Sequence, residues 1–151
     1  MDRRGFHFFN YCSDGRVEKM KEALEAGADP NLTSGHHRYI SVLMEATHRG
    51  RYEAVDLLLA QPGINVNHRC SWGWTALHHA VDRSSVAILK KLLLAPGILV
   101  NAKSRFGRTP IMVAARSGFT EAVYLLAAVE EVDLDVKDDL GNGLEEIARD
   151  R

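Results

Sequence analysis

The chain has only two cysteines, Cys12 and Cys70, and they form no CxxC pair. That is too few for a disulfide framework, so a reducing setting, cytoplasmic or nuclear, is expected. No charge of one sign dominates: 19 Lys and Arg stand against 20 Asp and Glu, a net charge of -1, which argues against a polyanion-binding surface over the whole molecule. Long apolar runs are also missing. The stretch Val86 to Leu94 is interrupted by lysines and falls far short of the roughly 20 residues that span a bilayer. The opening Met1-Asp2-Arg3-Arg4-Gly5-Phe6 has basic residues with no apolar core of leader length after them. There is no GxxxxGK[ST] phosphate loop, and nothing places Ser, His and Asp as a triad. No enzyme, cofactor or membrane association is therefore expected.

What the chain does have is a period. Ala46, Ala80, Ala114 and Ala148 recur every 34 residues, and so do Ser41, Thr75, Thr109 and Gly143. Leu43, Leu77 and Ile111 keep the same step, as do Asn67, Asn101 and Asp135, and Gly73, Gly107 and Gly141. A fixed period of this size is the mark of a solenoid or propeller, in which each unit relies on its neighbours for a core. With 151 residues, 46% of them hydrophobic, the chain has enough apolar surface for one domain.

One unit shows the local logic. Thr75 precedes Ala76-Leu77-His78-His79-Ala80-Val81, a short helix with an N-capping hydroxyl in front of it, whose oxygen is expected to accept from the free N–H groups of the first turn. After a break at Asp82-Arg83-Ser84-Ser85, the residues Val86, Ile88, Leu89, Leu92 and Leu93 are spaced for one face of a second helix. Pro96-Gly97 ends it. The loop from Val100 to Arg108 then carries Asn at one side and Gly near the other, as a tight reversing turn requires.

At these residues the chain resembles the ankyrin-repeat family. Thr75-Ala76-Leu77-His78-His79-Ala80 and Thr109-Pro110-Ile111-Met112-Val113-Ala114-Ala115 are similar to its T-P-L-H-x-A-A signature, and Gly27-Ala28-Asp29-Pro30-Asn31 to its G-A-D-x-N close. Gly50 and Gly118 match the glycine between the helices. The resemblance implies an all-α solenoid of stacked helix-turn-helix units with projecting β-hairpin-like turns. It implies one domain over 1–151, with repeats near 6–35, 36–70, 71–104, 105–137 and a partial one at 138–151.

The departures from the family pattern carry expectations of their own. Phe8, Phe9 and Tyr11 stand where Leu, His and Ala belong, which suits an N-terminal cap. The loop from Leu32 to Ile40 is two residues too long and lacks the Asp and Gly of the other turns. The last unit stops after one helix, either as a minimal cap or because a longer protein continues beyond it.

Function follows from the resemblance as recognition: a non-catalytic adaptor or scaffold, monomeric by itself, that binds a protein or peptide through a concave groove and finger tips. The tips are Ser71, Trp72 and Trp74; Arg105, Phe106 and Arg108; and Asp139, Leu140 and Asn142. The long first turn adds His36, His37, Arg38 and Tyr39. The groove-facing helix positions are Glu45, His48, His79, Asp82, Arg83, Val113, Arg116 and Ser117. Trp, Tyr and Arg are the residues that dominate interface hot spots. Arg83, Arg105, Arg108 and Arg116 suggest a basic patch for an acidic partner segment, against the alternative of solvated charge. Two other functional classes are compatible with the same surface. One is inhibition of an enzyme such as a protein kinase by occlusion, and the other is nucleic-acid or phosphate binding by the arginines, whose affinity falls steeply with salt.

His36-His37 and His78-His79 invite a metal reading, but they lack ligand spacing, and the resemblance implies a structural hydrogen bond from His78 to the Thr75 region. Asn67 and Asn101 follow Val66 and Val100, with Leu59 and Leu93 upstream. This resembles the setting of ankyrin asparagine hydroxylation, with a turn-stabilising role as the alternative.

Overall fold

A computed structural model describes residues 3–35 and 38–149, so His36 and His37 lie outside the described residues. Nine helices form among those residues: α1 (Arg3–Asp14), α2 (Val17–Glu25), α3 (Val42–His48), α4 (Tyr52–Leu59), α5 (Ala76–Asp82), α6 (Val86–Leu93), α7 (Pro110–Ser117), α8 (Thr120–Ala127) and α9 (Leu144–Arg149). Helices this short are marginal alone, so tertiary packing must hold them. The inner row α1, α3, α5, α7, α9 stacks in sequence order, and α2, α4, α6, α8 form a second row behind it. The first four inner helices also pack on their own partners in the second row. The architecture is an all-α solenoid, and among the described residues only an isolated bridge between Thr33 and Ser41 has β pairing.

The alanine column explains the spacing of the rows. Ala46, Ala80 and Ala114 are fully buried beside Leu43, Leu77 and Ile111, and side chains this small let helix pairs approach closely. In the first unit Tyr11 takes the alanine's place, because Arg16 N–H donates to the Tyr11 carbonyl as Arg51, Ser85 and Phe119 N–H donate to those of Ala46, Ala80 and Ala114. Tyr11 is half-buried, and α1, at 12 residues, is longer than the other inner helices. At the other end Ile147 of α9 packs with Met112 and Val136 in a small separate cluster.

Side-chain staples tie each loop to the next. Asn31 donates to the Gly63 carbonyl (2.9 Å) and accepts from Asn65 N–H (2.7 Å). Asn67 does the same with Gly97 (2.7 Å) and Leu99 (2.8 Å), and Asn101 with Glu131 and Asp133. Asn is suited to this because its amide carries a donor and an acceptor side by side.

The fingers are tight turns whose carbonyl and amide close at Cys70–Trp74, Ser104–Arg108 and Asp138–Asn142. They also bond to one another: Ser71 N–H donates to Arg38, Arg105 N–H to Trp72 and Asp139 N–H to Phe106. At two of its steps this ladder leaves room only for glycine. Gly73 and Gly107 have φ of 73° and 71°, and a Cβ on them would lie 2.9 Å from Arg105 N and 2.7 Å from Asp139 N. Gly141, at φ 82°, has open space at the same place.

The long first turn departs from this scheme and still closes. Ser34 N–H donates to the Ile40 carbonyl, and Ser34 Oγ accepts from Ile40 N–H, as Ser104 Oγ accepts from Arg108 N–H. Tyr39 stands 34 residues before Gly73 and has the left-handed φ of 48° that its counterparts meet with glycine. Between the helices of the third unit, Ser84 has φ 52° where Gly50 and Gly118 have 68° and 71°.

Two stability predictions follow from these positions. Gly107→Ala should lower unfolding free energy by about 2–3 kcal/mol and Gly141→Ala by only about 1 kcal/mol, since the second meets backbone strain without a clash. Equal urea midpoints for the two variants would contradict the ladder. Ser84→Gly should instead stabilise by about 0.5–1 kcal/mol, read as a rise of a few degrees in Tm; an unchanged or lower Tm would refute stored strain there.

Candidate functional site

The fingers and the inner helices enclose a groove of about 560 Å³, lined by Arg38, Ile40, Cys70, Trp72, Trp74, His79, Asp82, Ser104, Phe106, Arg108, Val113, Arg116 and Ser117. Its geometry follows from the period. Trp72 and Phe106 occupy one column on successive fingers and are 52% and 59% exposed, although both are large and apolar. Side chains of this kind left open to water are characteristic of interaction surfaces. Leu140 continues the column at 81% exposure but does not line the groove.

Trp74 is placed differently. It is half-buried, stacked on His78 (centroids 5.8 Å) and edge-on to His79 (5.2 Å), so it forms wall and floor rather than tip. Below it, His78 is a structural residue. Thr75 N–H donates to His78 Nδ1 (3.1 Å), the Thr75 hydroxyl lies 3.0 Å from the same nitrogen, and Nε2 bonds the Arg108 carbonyl of the next unit (3.0 Å). Thr75 and His78 thus form a capping box at the start of α5, and Ser41 Oγ caps α3 by accepting from Met44 N–H (3.2 Å). Burial, opposed by the Arg108 carbonyl and reinforced by Arg69, pushes the His78 imidazole down to about 4.

His79 lies in the groove floor, nine-tenths buried, with neither ring nitrogen hydrogen-bonded. Burial and the neighbouring His48 and His78 push it down to about 4, against a smaller opposite pull from Glu45. It is therefore neutral at neutral pH. His48 packs edge-on to it (5.4 Å) and lies outside the lining.

Only two of the four arginines expected to form a patch belong to the lining. Arg108 and Arg116 line the groove, whereas Arg83 and Arg105 are exposed outside the lining. Arg38 joins from the first turn, and Asp82 is the one carboxylate of the lining. Arg108 Nε stands 3.7 Å from Asp138 Oδ2. Burial would raise the Asp138 carboxyl, but the N–H groups of Asn142 and Leu140, the Asn142 amide and Arg108 together hold it below the usual carboxylate range. Glu45 is not a groove residue: it is buried and bonded by Ser13 Oγ (2.9 Å) and Arg49 Nε (2.8 Å).

Of the remaining candidates, Tyr39, Ser71 and Asp139 sit on the finger ladder outside the lining; Tyr39 offers its carbonyl to His68 Nε2 (2.8 Å), and Ser71 and Asp139 pair through their N–H groups. Ile40, Cys70 and Ser104 are lining residues that sequence reasoning missed. The period would have found them, since Ile40, Trp74 and Arg108 share one column and Cys70, Ser104 and Asp138 another. The amides of Asn67 and Asn101 both face the following loop rather than the groove. Among the described residues no group of His, Cys, Asp and Glu could hold a metal, and no helix is long and apolar enough to cross a membrane.

Two family models match this chain, one for three ankyrin repeats over residues 8–104 and one for a single ankyrin repeat over 106–139. The chain belongs to the ankyrin-repeat family. It is 34% identical to YahD, an ankyrin repeat protein of Escherichia coli (strain K12), over 80% of this chain and 61% of that protein. It is 38% identical to ankyrin repeat and SOCS box protein 3 of Homo sapiens, over 74% of the chain and 21% of the relative. With the nuclear factor NF-kappa-B p105 subunit of Gallus gallus the identity is 37%, covering 82% of the chain and 17% of the relative. The chain therefore spans about three-fifths of YahD and about a fifth of the other two. Ankyrin repeats are in general protein-interaction modules rather than enzymes.

The two buried imidazoles make stability depend on pH. Their folded values near 4 lie below the ordinary 6.5, so the unfolded chain binds more protons between those values. Stability should be full above pH 6.5 and fall as pH drops towards 4, by up to about 3 kcal/mol for each ring. Urea midpoints across that window check this, and His79→Phe should flatten part of the slope. A flat wild-type profile would refute it.

Proposed function

We propose that this chain is a non-catalytic adaptor or scaffold that holds a protein partner in the finger groove, acting as one domain of four repeats and a partial fifth. The observation that carries the reading is the pairing of Trp72 and Phe106. Two large side chains, each more than half exposed, stand on adjacent fingers above a groove whose floor is otherwise packed. Aromatic residues bury much area at small entropic cost, which is why they anchor interfaces. Groove binding assigns contact to Trp72, Trp74, His79, Phe106, Arg108 and Arg116. It leaves His48, Arg83, Arg105, Asp139 and Leu140 to the rim, beside Tyr39 and Ser71.

The same reading treats Asn67 and Asn101 as staples between units rather than as hydroxylation sites, because each amide uses both its donor and its acceptor on the next loop. Two free buried cysteines support a cytoplasmic or nuclear setting; burial pushes the Cys12 thiol up to about 12.

Cross-linking pull-downs with the wild type and with a Trp72→Ala/Phe106→Ala variant test the proposal. Both side chains are exposed, so the variant should keep its helical circular dichroism and urea midpoint while recovering the partner about tenfold less well or worse. Equal recovery by both proteins would show that the groove is not the binding surface.

A further inference from the structure

The groove's charge and its unpaired polar atoms go further than its shape. Resting on the groove reading above, we propose that the occupant is an extended acidic peptide segment: one bulky apolar side chain seated between Trp72 and Phe106, with Asp or Glu beside it.

Three observations converge on that chemistry. The first is charge. The lining has three guanidinium groups, Arg38, Arg108 and Arg116, against the single carboxylate of Asp82, in a chain whose net charge is -1. Arg38 and Arg116 enter no ion pair among the described residues, and both are exposed at the groove. Arg108 alone has a carboxylate close by, in Asp138. Cations held at the edge of an apolar slot attract carboxylates and select against basic segments.

The second observation concerns hydrogen bonds. Arg108 Nε and both ring nitrogens of His79 are buried without a hydrogen-bond partner. Buried polar groups of this kind are rare in folded proteins. A guanidinium N–H can only donate, and a neutral imidazole offers one N–H and one acceptor nitrogen, so the matching ligand brings acceptors, carboxylate or peptide carbonyl oxygens, together with one donor such as a peptide N–H.

The third is size. A cavity of about 560 Å³ takes one large side chain with its flanking backbone, much less than the face of a folded domain. The aromatic pair supplies the apolar contact, and the arginines on either side decide what flanks the anchor.

Selection from phage-displayed random peptides on the intact chain tests this. The best peptide is then synthesised and titrated against three proteins: the wild type, Arg38→Glu/Arg116→Glu and Trp72→Ala/Phe106→Ala. Binding is followed by fluorescence polarisation of a label on the peptide. Support requires selected sequences that share an aromatic or aliphatic residue next to Asp or Glu, and affinity that falls about tenfold or more in the arginine variant.

The outcomes that overturn the proposal separate it from the groove reading. Neutral or basic selected sequences, or affinity unaffected by the charge reversal, sink the acidic-segment proposal alone when the aromatic variant still loses binding. Peptides indifferent to both variants sink the groove reading as well. No selected peptide at all would mean that a short segment is not the occupant. Displacement of the peptide by a single-stranded oligonucleotide at low salt would point to a polyanion instead and would also overturn the proposal.

Discussion

Everything in this molecule depends on how closely one finger approaches the next. Arg105 N–H reaches the Trp72 carbonyl and Asp139 N–H reaches that of Phe106, at a closeness that leaves no room for a Cβ on Gly73 or Gly107. The contact sets the distance between units at the tip, including the first step, where Ser71 N–H reaches the Arg38 carbonyl with Tyr39 in the glycine position, as the buried alanines of α3, α5 and α7 set it at the helices and the asparagine amides set it along the loops. Three unrelated interactions thus agree on one repeat spacing. A stack so specified behaves as a nearest-neighbour chain, in which the strength of each unit is partly borrowed.

The groove is a by-product of that spacing. Once successive fingers are held in register, residues one period apart form columns, and the side chains of Trp72 and Phe106 in one such column take no part in the core, although their carbonyls join the fingers. Both side chains are left half in solvent, above a floor made by Trp74 and His79. The floor is structurally engaged where His78 ties Thr75 to the Arg108 carbonyl, and polar without partners where His79 lies beside it. Scaffold and candidate site therefore share neighbouring residues of one helix, α5, with opposite requirements.

Two places show strain that the repeat pattern would avoid. Tyr39 and Ser84 hold left-handed backbone where their counterparts are glycine. Ser84 sits between helices, far from any role in the groove lining. Tyr39 is on the rim of the first finger, between the lining residues Arg38 and Ile40, where a large exposed side chain accompanies the strained backbone. Strain of this kind persists only where the surroundings impose it.

The fold class, the helix-turn-helix unit and the location of the fingers were legible in the sequence, because a repeat multiplies weak signals: one Thr-Ala-Leu-His is ambiguous, but columns recurring every 34 residues are not. The aromatic tips Trp72 and Phe106 were legible too, as positions where the units differ. What a column cannot state is which way a charged side chain is satisfied. Glu45 read as a groove carboxylate and proved to be buried against Ser13 and Arg49, since a contact from the preceding unit is invisible to a pattern. Of the four arginines read as one patch, Arg108 and Arg116 line the groove and Arg83 and Arg105 do not, while Arg38 entered it from a turn whose length hid its register. Local periodicity thus determined the repeated unit, whereas the burial, pairing and convergence of its polar side chains were decided only when adjacent units packed, because those energies depend on atoms contributed by a different repeat.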